Sequence, residues 1–256
     1  MIVDLHSHLV PGVDDGAAST DEALLALGAL AGEGVEAVVT TPHLLLPYLD
    51  SATAVRRELD RHRWAFSALA SAAARATSPL PAIGLGQEIW APDAEAFGLA
   101  SGAAGLGIGG SDYVLVEFGF ELRGDHLDVV KAVLDSGRKI VIAHPERYRF
   151  PPGFDPVETA ASWQREGALL QINAGSLGGH YLRSNPDSRD LAWAFVEENL
   201  ASLIASDHHA ANRPVSVQEA WELLVSRRGT EVATQLMITA PTRIRRNEPL
   251  DRQAAA

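Results

Sequence analysis

Cysteine is absent from this chain of 256 residues. Its absence excludes disulfide bonds, thiolate metal ligands and any reaction that passes through a phosphocysteine. The sequence also contains no apolar run of about 18 residues, the length needed to cross a bilayer. No basic segment followed by an apolar stretch stands near Met1. We therefore expect no membrane insertion and no signal peptide, which predicts a cytoplasmic protein.

Positive charge is scarce. The chain has 21 Lys and Arg residues against 33 Asp and Glu residues, a formal net charge of −12. Such a surface repels phosphate backbones and anionic lipids, so nucleic acid is not an expected partner. A small phosphorylated ligand at a locally positive metal site remains compatible with this charge.

Two nucleotide-binding motifs are also missing. No GxGxxG sequence follows the first apolar run, which argues against a dinucleotide-binding fold. The glycine-rich stretch 98–110 is not followed by Lys-Ser or Lys-Thr, so we expect a plain loop there and not a phosphate-binding loop.

Seven short apolar runs alternate with helical patterns. The runs are mostly continuous, as in strands buried on both faces of a parallel sheet covered by helices. Seven consecutive βα units predict one α/β barrel over residues 1–246, with an open doubly wound sheet as the alternative. Residues 247–256 are predicted to be a disordered tail. The predicted strands are 2–8, 37–41, 82–86, 113–116, 139–143, 168–173 and 201–206.

The first strand ends in a His-x-His pair. Residues two apart in an extended strand point to the same side, so His6 and His8 project together. Two imidazoles held on one side of a rigid strand form half of a metal site.

Further metal-capable side chains stand at or just after the ends of other predicted strands. In a βα barrel these ends meet on one face, which carries the active site. Clustered carboxylates repel one another unless cations lie between them. A mixed imidazole and carboxylate set suits Mn, Fe or Zn better than Ca. The candidates, with the first pair, are His6, His8, His43, Glu88, Glu117, His144, Asp207 and His209.

Other polar residues are less clear from sequence alone. One of Asp14 and Asp15 in the DDG loop is expected to bind metal. His208 would face away from His209 in an extended chain and is left out. We expect the remaining histidines, His62, His126 and His180, to lie at the surface.

With these residues placed, the chain resembles the PHP (polymerase and histidinol phosphatase) superfamily. It is most similar to the bacterial metal-dependent tyrosine phosphatases of capsule and exopolysaccharide synthesis. Each motif is weak alone, but their order along the chain is specific. The motifs are DLHSH (4–8), VDDG (13–16), TPH (41–43), QE (87–88), VEF (116–118), IAHPERY (142–148), QINAGS (171–176), ASDHH (205–209) and NRP (212–214).

The resemblance implies a distorted (β/α)7 TIM-like barrel that holds three metal ions, manganese first and iron or zinc as alternatives. It also implies that Arg147 and Arg213 bind phosphate. The implied ligands are His6, His8, Glu88 and Asp207 for one ion, Glu88, Glu117 and His144 for a second, and Asp15, His43 and His209 for a third. A phosphotyrosine-bearing protein is the implied substrate, for example a tyrosine kinase of polysaccharide synthesis, and phosphate is the product.

Chemistry for such a site follows from general principles. Two ions about 3.5–4 Å apart share a hydroxide that attacks phosphorus in line. Arg147 and Arg213 stabilise the charge that develops on the phosphate oxygens. A phenolate of pKa ~10 leaves without a strong general acid. His209 or Asp15 is placed to assist proton transfer.

Three alternatives stay open. The apolar segment Leu44–Tyr48 stands where related proteins often carry basic residues, which keeps a phosphatase for a small metabolite such as histidinol phosphate in view. An amidohydrolase-like hydrolase is a second alternative, against which the two arginines count. The third, of another class, is a metal-binding regulatory module without catalysis.

Overall fold

The computed structural model describes residues 1–250, and every strand pairing in it is parallel. Its strands are β1 (Ile2–Asp4), β2 (Val35–Thr40), β3 (His43–Leu45), β4 (Ala82–Leu85), β5 (Glu88–Trp90), β6 (Tyr113–Glu117), β7 (Lys139–Ala143), β8 (Leu169–Asn173) and β9 (Leu203–Ala205). They form one sheet in the order β1-β2-β4 and another in the order β3-β5-β6-β7-β8-β9.

The two sheets join because β2 continues into β3 and β4 continues into β5. Thr40 pairs with Leu85 and His43 pairs with Glu88, on either side of a short break. Pro42 has no backbone N–H to donate. At Gly86 a Cβ atom would lie 3.0 Å from Ile108 Cα, so only glycine fits without a shift. We call each strand position of the barrel a stave. Because of the two breaks, two of the staves consist of a bent pair of strands, β2–β3 and β4–β5.

The ring closes between its first and last strands. The N–H of Asp207 donates to His6 O at 2.8 Å, and the N–H of His8 donates to His208 O at 2.8 Å. Counting β2–β3 and β4–β5 as single staves gives seven, as the seven apolar runs predicted. The (β/α)7 barrel is therefore confirmed, and its closure excludes the open doubly wound sheet.

Helices cover the outside of the ring. Ser19, Ser51, Asp93, Asp155 and Ser216 cap helix N-termini by accepting a backbone N–H three residues later. The helices are α1 (Thr20–Gly32), α2 (Ala52–Ala73), α3 (Ala94–Ala100), α4 (Leu127–Asp135), α5 (Pro156–Glu166), α6 (Ala174–Gly178), α7 (Ser188–Glu197), α8 (Val217–Thr234) and α9 (Ala240–Arg245). The short helices α3 and α6 were not anticipated, and α3 occupies the start of the predicted 98–110 loop.

Strand residues alternate between two apolar layers. In β6, Val114 and Val116 pack in the outer layer under the helices, whereas Leu115 packs inside the barrel. The same alternation places Glu117 on the interior face at the end of the strand. Burial on both sides explains why the strand sequences are continuously apolar.

Two histidines correct the sequence analysis. His62 is buried, because it lies on the same stripe of α2 as Leu59 and Leu69, and its Nδ1 lies 2.7 Å from Gln87 Oε1. His126 is also buried, with its ring stacked on Phe118 at 4.9 Å. The expected surface position is therefore wrong for both and right for His180, which is exposed.

Of the predicted tail, residues 247–250 are described and contact the barrel. Asn247 Nδ2 donates to Asp112 Oδ2 at 2.8 Å, and Tyr113 Oη donates to Glu248 O at 2.8 Å. Residues 251–256 lie outside the described part of the chain. Across residues 1–250, no helix combines the length and apolarity that crossing a bilayer requires.

Candidate metal centre

The centre begins with the pair that ends the first stave. His6 and His8 are both fully buried, and their Nε2 atoms lie 3.2 Å apart. Asp207, at the end of β9, brings Oδ1 to 3.4 Å from each of these nitrogens. The closing hydrogen bonds between the first and last staves hold this group of three together.

The second nitrogen of each ring fixes its tautomer. His6 Nδ1 lies 2.9 Å from Gln171 Oε1, and His8 Nδ1 lies 2.8 Å from Asp14 Oδ2. Both oxygens accept, so each Nδ1 carries a proton and Nε2 is the nitrogen available to a metal ion. The two Nε2 atoms converge with Asp207 Oδ1 as three possible ligand atoms. The donor set therefore fits a metal ion.

Glu88, the first residue of β5, lies at the middle of the cluster. Its Oε1 is 2.8 Å from His144 Nε2 and 3.4 Å from His6 Nε2. Its Oε2 is 2.8 Å from His43 Nδ1 and 3.3 Å from His8 Nε2, yet this buried oxygen has no hydrogen bond of acceptable geometry. Atoms that approach without the alignment of a hydrogen bond face a shared centre, as ligands of bridged ions do.

Glu117 and His144 extend the cluster beyond Glu88. Glu117 Oε2 lies 3.6 Å from His144 Nε2. Burial, then the charge of Glu88, raises the pKa of Glu117 to about 8. Burial lowers the pKa of His144 to about 4 although its contact with Glu88 opposes this. Burial and the charge of Glu88 thus disfavour ionisation of Glu117, and a cation beside both carboxyl groups would relieve this.

Two cluster residues have unusual backbone conformations. His144 has φ of 33° and Asp207 has φ of 53°, both in the left-handed region that side chains other than glycine seldom adopt. Strain of this kind persists where the surrounding structure enforces it and is concentrated at functional sites.

The DDG loop supplies two carboxylates with different partners. Asp15 Oδ1 lies 3.4 Å from His43 Nε2 and 3.3 Å from His209 Nε2. Asp14 instead lies behind His8, and its Oδ2 also accepts the backbone N–H of His43 at 3.1 Å. Asp15, which is 64 % exposed, is thus the aspartate that faces the cluster.

The charges of both aspartates follow from these contacts. Burial opposes ionisation of Asp14, but the contact with His8 outweighs it and lowers the pKa to about 2. Hydrogen bonds with His209 and His43 lower the pKa of Asp15. Burial lowers the pKa of His43, but contacts with Glu88 and Asp15 outweigh it and raise that pKa to about 10.

Two arginines border the cluster on the Asp207 side. Arg147 Nη1 lies 2.7 Å from Asp207 Oδ2, and its guanidinium lies between the rings of Phe120 and Tyr181, 4.8 and 4.2 Å from their centroids. Arg213 Nη2 lies 3.1 Å from Asp207 Oδ1. Burial raises the pKa of Asp207, but His6, His8 and these arginines outweigh it and hold that pKa well below its usual value.

All nine predicted ligands lie in this cluster. Within residues 1–250, four groups bring ligand atoms within 4.8 Å of one another: His8, Asp15, His43 and His209; His6, Glu88 and His144; His6, His8 and Asp207; and His43, Glu88 and Glu117. Sequence reasoning did not assign the orienting roles of Asp14, Gln171 and Asn173 toward the ligands, or those of Phe120 and Tyr181 toward Arg147. Gln171 and Asn173 had one available signal, since two polar residues at a spacing of two interrupt an otherwise apolar strand.

Asp14 provides a first prediction. Asp14→Ala removes the acceptor of the His8 Nδ1 proton, so His8 is free to change tautomer. We expect metal affinity to fall about 10–100-fold, as for other groups that orient a metal-bound histidine. Competition with a chromophoric chelator measures this, with the exposed residue variant Asp50→Ala as control. Unchanged affinity in Asp14→Ala would show that the contact with His8 is dispensable.

Comparison with known proteins was made on the whole chain. The family model described as "Capsular polysaccharide synthesis, CpsB/CapC" matches residues 2–246. The tyrosine-protein phosphatase YwqE of Bacillus subtilis is 28 % identical over 98 % of this chain and 94 % of its own length. The tyrosine-protein phosphatase CpsB of Streptococcus pneumoniae is 26 % identical over 95 % of this chain and 98 % of its own length.

Solved structures agree with these matches. A crystal structure from work on YwqE of Bacillus subtilis and CpsB of Streptococcus pneumoniae, described as metal-dependent tyrosine phosphatases, has a TM-score of 0.76 at 27 % identity. It covers 98 % of this chain and 97 % of that chain. A lactonase from Listeria monocytogenes, with a TM-score of 0.51 at 11 % identity over 95 % of this chain and 94 % of that chain, shares the fold alone.

Proposed function

The chain belongs to the CpsB/CapC family of capsular polysaccharide synthesis, and on this premise we propose that it removes phosphate from phosphotyrosine in a protein of that machinery. It is a metal-dependent tyrosine-protein phosphatase. The observation that carries the proposal is the central cluster, in which buried imidazole and carboxylate atoms face one another at 2.8–3.4 Å beside two arginines. A tyrosine kinase of polysaccharide synthesis is the partner we propose.

We propose that the cluster holds three ions, manganese in preference to iron or zinc. The proposed ligands are His6, His8, Glu88 and Asp207 for the first ion, Glu88, Glu117 and His144 for the second, and Asp15, His43 and His209 for the third. Bound ions of this kind supply an activated water nucleophile and neutralise phosphate charge. Glu88 Oε2 lies close to His43 and His8 without forming a hydrogen bond, which supports a position of Glu88 between the first and second ion sites.

Arg147 and Arg213 would bind the non-bridging oxygens of the substrate phosphate. Each guanidinium presents a planar fork that matches two phosphate oxygens. Asp207 holds both side chains, and Phe120 and Tyr181 restrict Arg147 from either side. A positioned guanidinium stabilises the charge of the transition state without reorganising during the reaction.

Proton transfer would fall to His209 and Asp15 at the exposed edge of the cluster. His209 Nε2 lies 3.3 Å from Asp15 Oδ1, and Arg213 Nη2 lies 2.6 Å from His209 Nδ1, so the two groups share this edge with the arginine. Burial lowers the pKa of His209, which favours the neutral form of the ring. A phenolate leaving group of pKa ~10 needs little help from a general acid.

The apolar segment after His43 is partly core. Leu44 and Leu46 are fully buried, whereas Leu45 is exposed and Tyr48 is 73 % exposed with its ring edge against Trp90 at 5.7 Å. Packing thus accounts for Leu44 and Leu46, and only the exposed residues of the segment bear on the choice of substrate.

A panel of phosphate esters tests the substrate. We expect kcat/KM for a phosphotyrosine peptide to exceed that for a phosphoserine peptide and for histidinol phosphate by at least ~100-fold, because only the phenolate leaves without protonation. Manganese-loaded protein is used, with Glu88→Gln prepared identically to detect contaminating phosphatase. Faster turnover of histidinol phosphate would support the metabolite alternative, and no turnover of any ester would support the regulatory module.

A further inference from the structure

One stave of the barrel contributes no ligand to the cluster. Six of the seven end in a predicted metal ligand, but β8 ends in Gln171 and Asn173, both fully buried and facing the interior. We propose that this amide pair is a positioning relay, which fixes the tautomer of His6 and the orientation of the Asp207 carboxylate. The proposal rests on the metal-dependent function given above and extends it to residues that touch neither metal nor substrate.

The relay is a chain of three hydrogen bonds. His6 Nδ1 lies 2.9 Å from Gln171 Oε1, Gln171 Nε2 donates to Asn173 Oδ1 at 2.8 Å, and Asn173 Nδ2 donates to Asp207 Oδ2 at 2.8 Å. It therefore runs from the first stave through β8 to the last, although His6 and Gln171 are 165 residues apart in sequence.

The Asp207 end of the relay determines which group donates and which accepts in each hydrogen bond. The Asp207 carboxylate, already in contact with two arginines, only accepts, so Asn173 must turn its NH₂ toward it. Asn173 Oδ1 then faces Gln171, which must donate a hydrogen bond to it from its own NH₂ group. Gln171 Oε1 is left to accept from His6, which places the imidazole proton on Nδ1. The carboxylate thus determines, through two amides, that His6 Nε2 carries a free lone pair for metal.

Separate contacts hold the relay in place. The buried Glu146 Oε1 accepts the backbone N–H of Asn173 at 3.0 Å and the hydroxyl of Ser176 at 2.6 Å. Glu146 lies two residues after His144, so it ties the end of β7 to the end of β8. The residues of the QINAGS motif thereby acquire a role: Gln171 and Asn173 orient ligands, and Ser176 helps to anchor their strand.

The contrasting view is that the amides only fill a polar barrel interior. A filling role would affect the stability of the metal-free protein and leave ligand tautomer and metal affinity unchanged. Gln171→Met and Asn173→Leu distinguish the two, because each keeps side-chain volume and removes the hydrogen bonds.

We expect each variant to lower manganese affinity about 10–100-fold, measured by competition with a chelator. The double variant should lose about as much as the weaker-binding single variant, because the relay is already broken. In the metal-free protein, ¹⁵N chemical shifts of the His6 ring should change from the Nδ1–H form to a mixture in Gln171→Met. Gln171→Glu keeps an acceptor for His6 and should keep the Nδ1–H form.

Thr159→Val is the matched control, since Thr159 is a buried polar residue on α5 away from the cluster. Native tautomer and affinity in Gln171→Met, or losses in the two single variants that multiply in the double variant, would overturn the relay. The tautomer is read without metal, so it tests the relay separately. A wild-type protein that takes up no metal would reject the proposed function alone.

Discussion

Glu88→Gln is expected to reduce turnover of a phosphotyrosine peptide by at least ~10³-fold and to lower bound metal at the same time. The substitution keeps the shape of the side chain and removes one negative charge. Glu88 lies at the middle of the cluster, within 3.4 Å of a nitrogen of each of four histidines, His6, His8, His43 and His144. Its amide nitrogen has no lone pair available to a metal ion, so the side chain can no longer offer two ligand oxygens.

Metal content by mass spectrometry and initial rates on the same preparation measure this effect. The matched control is Glu36→Gln, which makes the same change at an exposed position of β2 and should leave both readings unchanged. Full activity of Glu88→Gln after treatment with a chelator would reject the metal mechanism. His8→Ala should give the same loss, because His8 belongs to two of the ligand groups.

Arg213→Ala is expected to lower kcat/KM by about 10²–10³-fold while metal content stays at the wild-type value. Arg213 contacts Asp207 and His209 but supplies no ligand atom itself, so we expect its loss to remove a phosphate contact while every residue of the donor set is still present. Arg213→Lys keeps the positive charge but loses the planar fork, and we expect it to recover only part of the rate.

Steady-state kinetics, inhibition by inorganic phosphate and metal analysis together test this prediction. Weaker inhibition by phosphate should accompany the loss of rate. Arg149→Ala, which removes an exposed arginine paired with Glu121, is the control and should be near wild type. Loss of metal from Arg213→Ala would mean that this arginine stabilises the cluster and does not bind the substrate.

Much of the fold was accessible from sequence because strands buried on both faces give continuous apolar runs. All seven staves were predicted in this way, and the convergence of their C-terminal ends predicted that distant residues such as His6, Glu88 and Asp207 would meet. The bend between β4 and β5 was not predicted, because it depends on the close approach of Gly86 to Ile108 across the structure.

Local patterns also failed for residues whose environment is set by distant segments. His62 was expected at the surface because a lone histidine among charged helix residues is usually solvated. Its burial depends on α2 turning that face toward Gln87, 25 residues later. The aromatic contacts of Arg147 could not be predicted for the same reason, because Phe120 and Tyr181 come from separate loops distant in sequence.

By itself the sequence predicted the barrel, the types of candidate ligand and the strand ends that carry them, since hydrophobic periodicity and residue chemistry are local properties. Only the tertiary structure showed which of two adjacent aspartates, Asp14 or Asp15, faces the cluster. Asp14 lies behind His8 and Asp15 faces the cluster because the path of the DDG loop turns the two side chains in different directions. The tautomer of His6 likewise depends on amides far away in sequence, and hydrogen bonds of that range leave no local pattern.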